Sequence, residues 1–254
     1  MTGRAVLIAG GTSGVGLATA QRFADDGDAR IALIGRDGER GEKACAAVRA
    51  AHPGCAVHFV AGDANDAGQA VAAATAARDL LDGVDVLVNS TTASYVPRLL
   101  RDTPVEEIAS MLTDQALAPL HLCRAVLPWM AERRSGAIVN VASDAAKVPT
   151  PGETVIGAAM AAIVTFTRTL AVEAKRDGVR VNAVTPSLIE GTATGDRAMA
   201  GGFSRKLFEK AKAQAHLGLT EVGDLAELIA FLAGPGAARI TGQVVSVNGG
   251  ISVA

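Results

Sequence analysis

A chain of 254 residues, 49% hydrophobic and 20% charged, holds enough apolar material for one large core, and a single domain over 1–254 is the expectation. A formal net charge of −2 leaves no basic footprint for nucleic acid or an anionic membrane surface, so neither partner is implied. Cys45, Cys55 and Cys123 are odd in number and lack CxxC or Cys/His spacing, which points to a reducing compartment, with no disulfide framework and no metal site.

In chain order, the N-terminal MTGRAVLIAGGTSG turns to glycine after one short apolar run. That run is too short for a signal peptide or a membrane span, so a cytoplasmic location is expected. Short β-branched or apolar runs then alternate with Ala-rich helical patterns. Strands are predicted at 4–9, 30–34, 56–61, 84–89, 137–142, 180–185 and 244–247, and helices at 14–26, 39–51, 67–81, 104–133, 152–176 and 224–233. Asp82-Gly83, Ser135-Gly136 and Asp177-Gly178 stand where three of the helices should stop. The stretch 195–218 is less patterned, with Gly201-Gly202 before a charged helix-like piece, and is expected to form a flap beside the site. The alternation predicts an α/β fold: a doubly wound, Rossmann-type parallel sheet of seven strands with helices on both faces.

The first strand runs straight into Gly10-Gly11-Thr12-Ser13-Gly14-Val15-Gly16, which opens a helix. Glycines at this spacing permit a tight turn and close backbone approach to a pyrophosphate, while the helix N-terminus offers free N–H groups to the anion. The spacing Gly10-x-x-x-Gly14-x-Gly16 resembles the loop of the short-chain dehydrogenase/reductase family. The likeness continues through Asp63, Leu87-Val88-Asn89, Ala137–Ser143, Val181–Pro186, Ile240–Gln243 and Asn248-Gly249-Gly250. It implies cofactor contacts at Gly10, Gly14, Gly16, Asp63 and Asn89. It also implies hydride transfer between a nicotinamide and an alcohol or ketone carbon.

That chemistry needs a proton path. A phenol with a pKa of about 10 needs a neighbouring ammonium to ionise at working pH, hence the family's Tyr-x-x-x-Lys on one helical face. By the resemblance, Ser143 fills the serine position that polarises the substrate oxygen. Thirteen residues on, the tyrosine position holds Ile156, and four later the lysine position holds Met160. The relay asparagine of the preceding helix is replaced by Gln115. Isoleucine and methionine move no protons, so no catalytic set is intact and Ser143 is a remnant; no histidine stands at a spacing that would make it a hydrolase nucleophile. The alternative is a rebuilt relay from Ser143, Tyr95, the chain's single tyrosine, and Lys147, with His121 on the long helix as a further candidate.

Cofactor binding is a separate matter. Ile34-Gly35-Arg36 has glycine where an NAD-preferring relative carries an acid, so Arg36 favours a 2′-phosphate if a dinucleotide binds. The family's Asn-Asn-Ala-Gly stretch has become Asn89-Ser90-Thr91-Thr92, Pro-Gly has become Pro186-Ser187, and the threonine position after it is Gly191. Tight dinucleotide binding by this chain is therefore not expected, and any NAD(P) should be held by a partner. The expected role is a catalytically silent subunit of an alcohol/ketone oxidoreductase complex, joined to an active relative through helices 104–133 and 152–176. The second of these is small or apolar nearly all round over 155–171. The situation is similar to that of the two-subunit hydroxyacyl-CoA dehydrogenase of anaerobic toluene breakdown, one subunit of which lacks the family's catalytic residues. A homo-oligomer and a dinucleotide-sensing protein are the remaining alternatives.

Overall fold

The first strand, β1 (Ala5–Ala9), is buried along its whole length, as a central parallel strand covered on both faces must be. Ala5, Leu7 and Ala9 enter one core cluster, whereas Val6 and Ile8 enter the other, the two-residue alternation of a pleated strand. In the computed structural model, which describes residues 3–27, 29–192, 195–196 and 202–254, the chain continues through α1 (Gly14–Asp25), β2 (Arg30–Gly35), α2 (Gly38–Ala51), β3 (Ala56–Ala61), α3 (Ala67–Leu81), β4 (Val86–Asn89) and α4 (Val105–Glu132). Then follow β5 (Gly136–Val141), α5 (Thr154–Ala174), β6 (Val179–Pro186), α6 (Gly202–Gln214), α7 (Val222–Ala233) and β7 (Val244–Val247).

The strands form one seven-stranded sheet in the order β3-β2-β1-β4-β5-β6-β7, with every pairing parallel. This is the doubly wound arrangement expected. One core layer lies under α3, α4 and α5, and the other under α1, α2 and α7. The order reverses between β1 and β4, and a crevice for ligand opens at the carboxyl ends of strands at such a switch point.

Element ends differ from the sequence reading for local reasons. Asp82 and Gly178 take left-handed backbone at φ 52 and 73, as stop signals should. After α4, however, the left-handed residue is Arg134 at φ 51. Gly136 instead begins β5, where an added Cβ would stand 2.5 Å from the Met130 sulfur. Helix α5 starts at Thr154 rather than Gly152, because Gly152 has φ 86 and Glu153 is still outside helical geometry. The expected flap over 195–218 contains the 13-residue helix α6, while its residues 197–201 lie outside the described set. By length and composition α5 passes for a membrane span, but half of that window is buried, and the helix packs on α4 and β6.

Candidate functional site

At the end of β1, Gly10 has φ 72, and an added Cβ would stand 2.5 Å from the Ser90 carbonyl oxygen. A Cβ on Gly16 would stand 2.3 Å from the Gly10 oxygen. Both glycines are thus demanded by packing. Gly14 differs: at φ 52 an added Cβ would make only an ordinary contact, with the Thr192 methyl at 3.9 Å, so packing does not demand glycine there. Ser13 caps α1 without a side-chain capping bond, and no acid stands in the first turn. The helix start therefore keeps its positive end and uncommitted N–H groups for an anion. Asp37 caps α2 by accepting from the Arg40 N–H at 3.1 Å, and the Arg40 guanidinium reaches Ser13 Oγ at 3.3 Å. Arg36 is exposed and forms no ion pair among the described residues. These residues fit the phosphates of a dinucleotide. Arg40 escaped the sequence reading, although its place four residues after Arg36 is the signal that marks it.

The other two candidates at this end have other duties. Asp63 is half-buried and turns the chain by accepting from the Asn65 N–H at 3.0 Å. Asn89, expected at the cofactor, is instead 2% exposed; its amide donates to Asn140 Oδ1 at 2.8 Å and faces the Cys123 sulfur. Asn140 in turn donates to Thr167 Oγ1 at 2.8 Å. A polar side chain at the end of a central strand pairs with its neighbour on β5 because burial leaves no water to satisfy it. Asn89 Oδ1 is itself buried without a partner.

At the carboxyl end of β5, the positions that the resemblance assigns to proton transfer hold isoleucine and methionine. Ile156 and Met160 are 8% and 6% exposed, and they cluster with Ala142, Ile163 and Val164. Tyr95 and Ala116 cover that cluster. Gln115 is buried and clamps the loop after β4. Its Oε1 accepts from the Ala93 N–H at 3.2 Å and from Thr92 Oγ1 at 3.3 Å, and its Nε2 donates to the Ala93 oxygen at 3.1 Å. Ser143 caps a short turn by accepting from the Ala145 N–H at 3.2 Å. A cavity of about 200 Å³ beside these residues is lined by Tyr95, Gln115 and Ile156 with Glu107, Met111 and Asp114 from α4.

The rebuilt relay of Ser143, Tyr95 and Lys147 is not assembled. The Tyr95 hydroxyl donates to the Gly152 oxygen. Burial, reinforced by the Glu153 carboxylate, pushes its phenol up to about 12, so it stays protonated where a base is needed. Lys147 lies 3.6 Å from Asp144 and donates to Ser246 Oγ. His121 contacts the Ala64 oxygen at 3.1 Å. Each group is tied down by a different element. Burial also lifts the Glu153 carboxyl to about 6, partly offset by the Thr150 hydroxyl. Asp144, which no motif marked, is 5% exposed; it accepts from Ser246 and Ser252 hydroxyls at 3.0 and 3.2 Å and from the Asn248 amide. The two corners thus differ: the one after β1 presents the exposed Arg36, and the one after β5 packs Ile156 and Met160 into an apolar cluster beside a cavity of about 200 Å³.

Comparison with known proteins agrees with this geometry. The family described as enoyl-(acyl carrier protein) reductase matches residues 9–252. A 2-(R)-hydroxypropyl-CoM dehydrogenase of Xanthobacter autotrophicus is 31% identical over 97% of this chain and 97% of its own. From the same organism, a protein named inactive 2-(S)-hydroxypropyl-CoM dehydrogenase 2 is 33% identical over 88% of this chain and 95% of its own. The crystal structure of levodione reductase superposes with a TM-score of 0.92 at 29% identity, covering 98% of both chains. Sheet order, glycine loop and these likenesses together establish that the chain belongs to the short-chain dehydrogenase/reductase family of oxidoreductases.

Proposed function

We propose that this chain is a catalytically silent member of the family that assembles with an active member in an NAD(P)-dependent alcohol/ketone oxidoreductase complex. One observation carries the reading: Ile156 and Met160 occupy the proton-transfer positions and are packed into an apolar cluster under Tyr95. General acid/base help is worth roughly 10²–10⁴-fold in rate, and no pKa adjustment restores it to hydrocarbon. The relative named inactive supports the idea that the fold is kept without turnover. Members of the family bind NAD(P). A dinucleotide would supply the hydride. This chain's Gly14, the start of α1, Arg36 and Arg40 suit its phosphates, and a 2′-phosphate would meet two guanidiniums. That observation favours dinucleotide sensing as the second reading.

The proposed seam is formed by α4 and α5. On α5 the exposed face offers Ala158, Ala162, Thr165 and Thr169 with Val172, small enough for close helix packing. The complex of two-subunit hydroxyacyl-CoA dehydrogenase type is the nearest situation. Co-expression with an intact relative should give one stable heteromer by sizing and mass measurement, and Ala162→Glu should disrupt it. The relative should lose activity or stability alone, and the isolated chain should show no redox turnover with either nicotinamide cofactor. A relative fully active and stable by itself, with no co-purification, refutes the subunit reading. Turnover by the isolated chain that vanishes in Tyr95→Phe refutes silence.

A further inference from the structure

We infer that one face of α6 is a binding surface for an amphiphilic anion: a molecule with an apolar body, bound against Phe203, and a phosphate-like head, held by Lys206 and Lys210. At three, four and seven residues apart these side chains form one row on the helix. They lie away from the buried Ser204, and all three are exposed.

The remaining cations of α6 are answered locally. Arg205 pairs with Glu209 at 2.9 Å and Lys212 with Glu190 at 3.4 Å. Among the described residues Lys206 and Lys210 have no carboxylate within ion-pair distance, and as like charges one turn apart they repel. The row therefore holds two unneutralised ammonium groups on a chain whose net charge is −2. Its first member, Phe203, is 44% exposed and seats one edge on Gly152, where an added Cβ would stand 2.5 Å from its Cε1. The Gly152 oxygen also receives the Tyr95 hydroxyl and the Arg98 N–H.

The row thus begins at the rim of the closed cleft and runs outward along the helix for about 10 Å at 1.5 Å per residue. An apolar body covers the exposed ring, while the head neutralises both lysines as flexible point charges that suit a phosphate or sulfonate. A ring alone or a lysine pair alone is an ordinary solvated surface; their alignment sets the ligand class. This inference is independent of the subunit reading, since it concerns a face outside both α4 and α5.

Titration calorimetry on the intact chain with octyl phosphate, octanol and inorganic phosphate tests it. Octyl phosphate should bind saturably, and Lys206→Gln with Lys210→Gln should weaken it at least tenfold. Phe203→Ser should weaken octyl phosphate while leaving inorganic phosphate unchanged. Octanol should bind far more weakly than octyl phosphate. Equal affinity in the double lysine variant, as when the phosphate goes to the glycine loop, overturns the inference. So does octanol binding as well as octyl phosphate, or absence of saturable octyl phosphate binding. Circular dichroism of each variant, expected to match the parent because these side chains are exposed, keeps the comparison free of unfolding.

Discussion

The β1–α1 corner and the β5–α5 corner lie at the same carboxyl end of one sheet, yet the first is built from glycines and the second from packed apolar side chains. Gly10 and Gly16 are held by packing, because a Cβ at either position meets backbone oxygen; their retention therefore says little about a ligand. The tyrosine and lysine of the second corner would be demanded by chemistry alone. Packing accepts Ile156 and Met160 there without strain. Gly14, where packing leaves room for a Cβ, is the informative residue of the loop.

The comparison can be broken first at Gly16. Gly16→Val should destabilise the chain by about 3 kcal/mol or more in chemical denaturation, whereas Gly14→Ala, strained only by its positive φ, should cost about 1–2 kcal/mol. Equal effects would show that packing does not separate the two glycines. Restoring the pair, with Ile156→Tyr and Met160→Lys, should lower stability by about 2 kcal/mol or more, since an ammonium enters an apolar cluster. It should not produce turnover, because Gln115, Thr92 and Ser187 are unchanged; an active double variant would mean the corner retains more than its packing suggests.

Smaller effects sharpen the picture of the closed corner. Gln115→Ala leaves the Ala93 N–H without its side-chain acceptor and the Ala93 carbonyl with only the Thr92 hydroxyl, and should destabilise by about 1–3 kcal/mol. Faster amide exchange around Ala93 is the local signature; an unchanged exchange rate would deny the clamp. Glu153 gives the mildest and most specific test. Its carboxyl is raised in the fold to about 6, so the folded state binds the proton more tightly than the unfolded chain. The stability this contributes is complete below about pH 4.5 and is lost as pH rises through about 6. Relative to Glu153→Gln, the parent should lose on the order of 1–2 kcal/mol across that window. Denaturation midpoints that keep a constant gap between the two proteins would reject it.

Much of this was legible in the sequence, and the reasons are physical. All seven strands follow from short apolar runs bounded by turn residues, and β3 and β7 were bounded to the residue. The apolar side chains at 156 and 160 were readable by counting from Ser143, and the structure packs both into a buried cluster. The fates of Asn89, Tyr95 and Lys147 were not. Each is decided by a partner far along the chain: Asn140 for Asn89, Gly152 for Tyr95 and Ser246 for Lys147. Helix α6 was legible only as a charged helix-like piece without bounds, since it buries only Ser204 among its residues and leaves a narrow stripe to read.

The Asp144 carboxylate has a bearing on the order of folding. Its partners Ser246, Asn248 and Ser252 stand 102, 104 and 108 residues away, while Lys147 is its one nearby counter-ion. Closing such long loops is entropically slow and is rewarded only once both ends are in place. The turn after β5 closes its own hydrogen bonds locally, from the Ala145 N–H to Ser143 Oγ and from the Lys147 and Val148 N–H groups to the Asp144 carbonyl oxygen. The bonds of the Asp144 carboxylate, by contrast, require β7 to be in place, and before that Lys147 is the counter-ion within local reach.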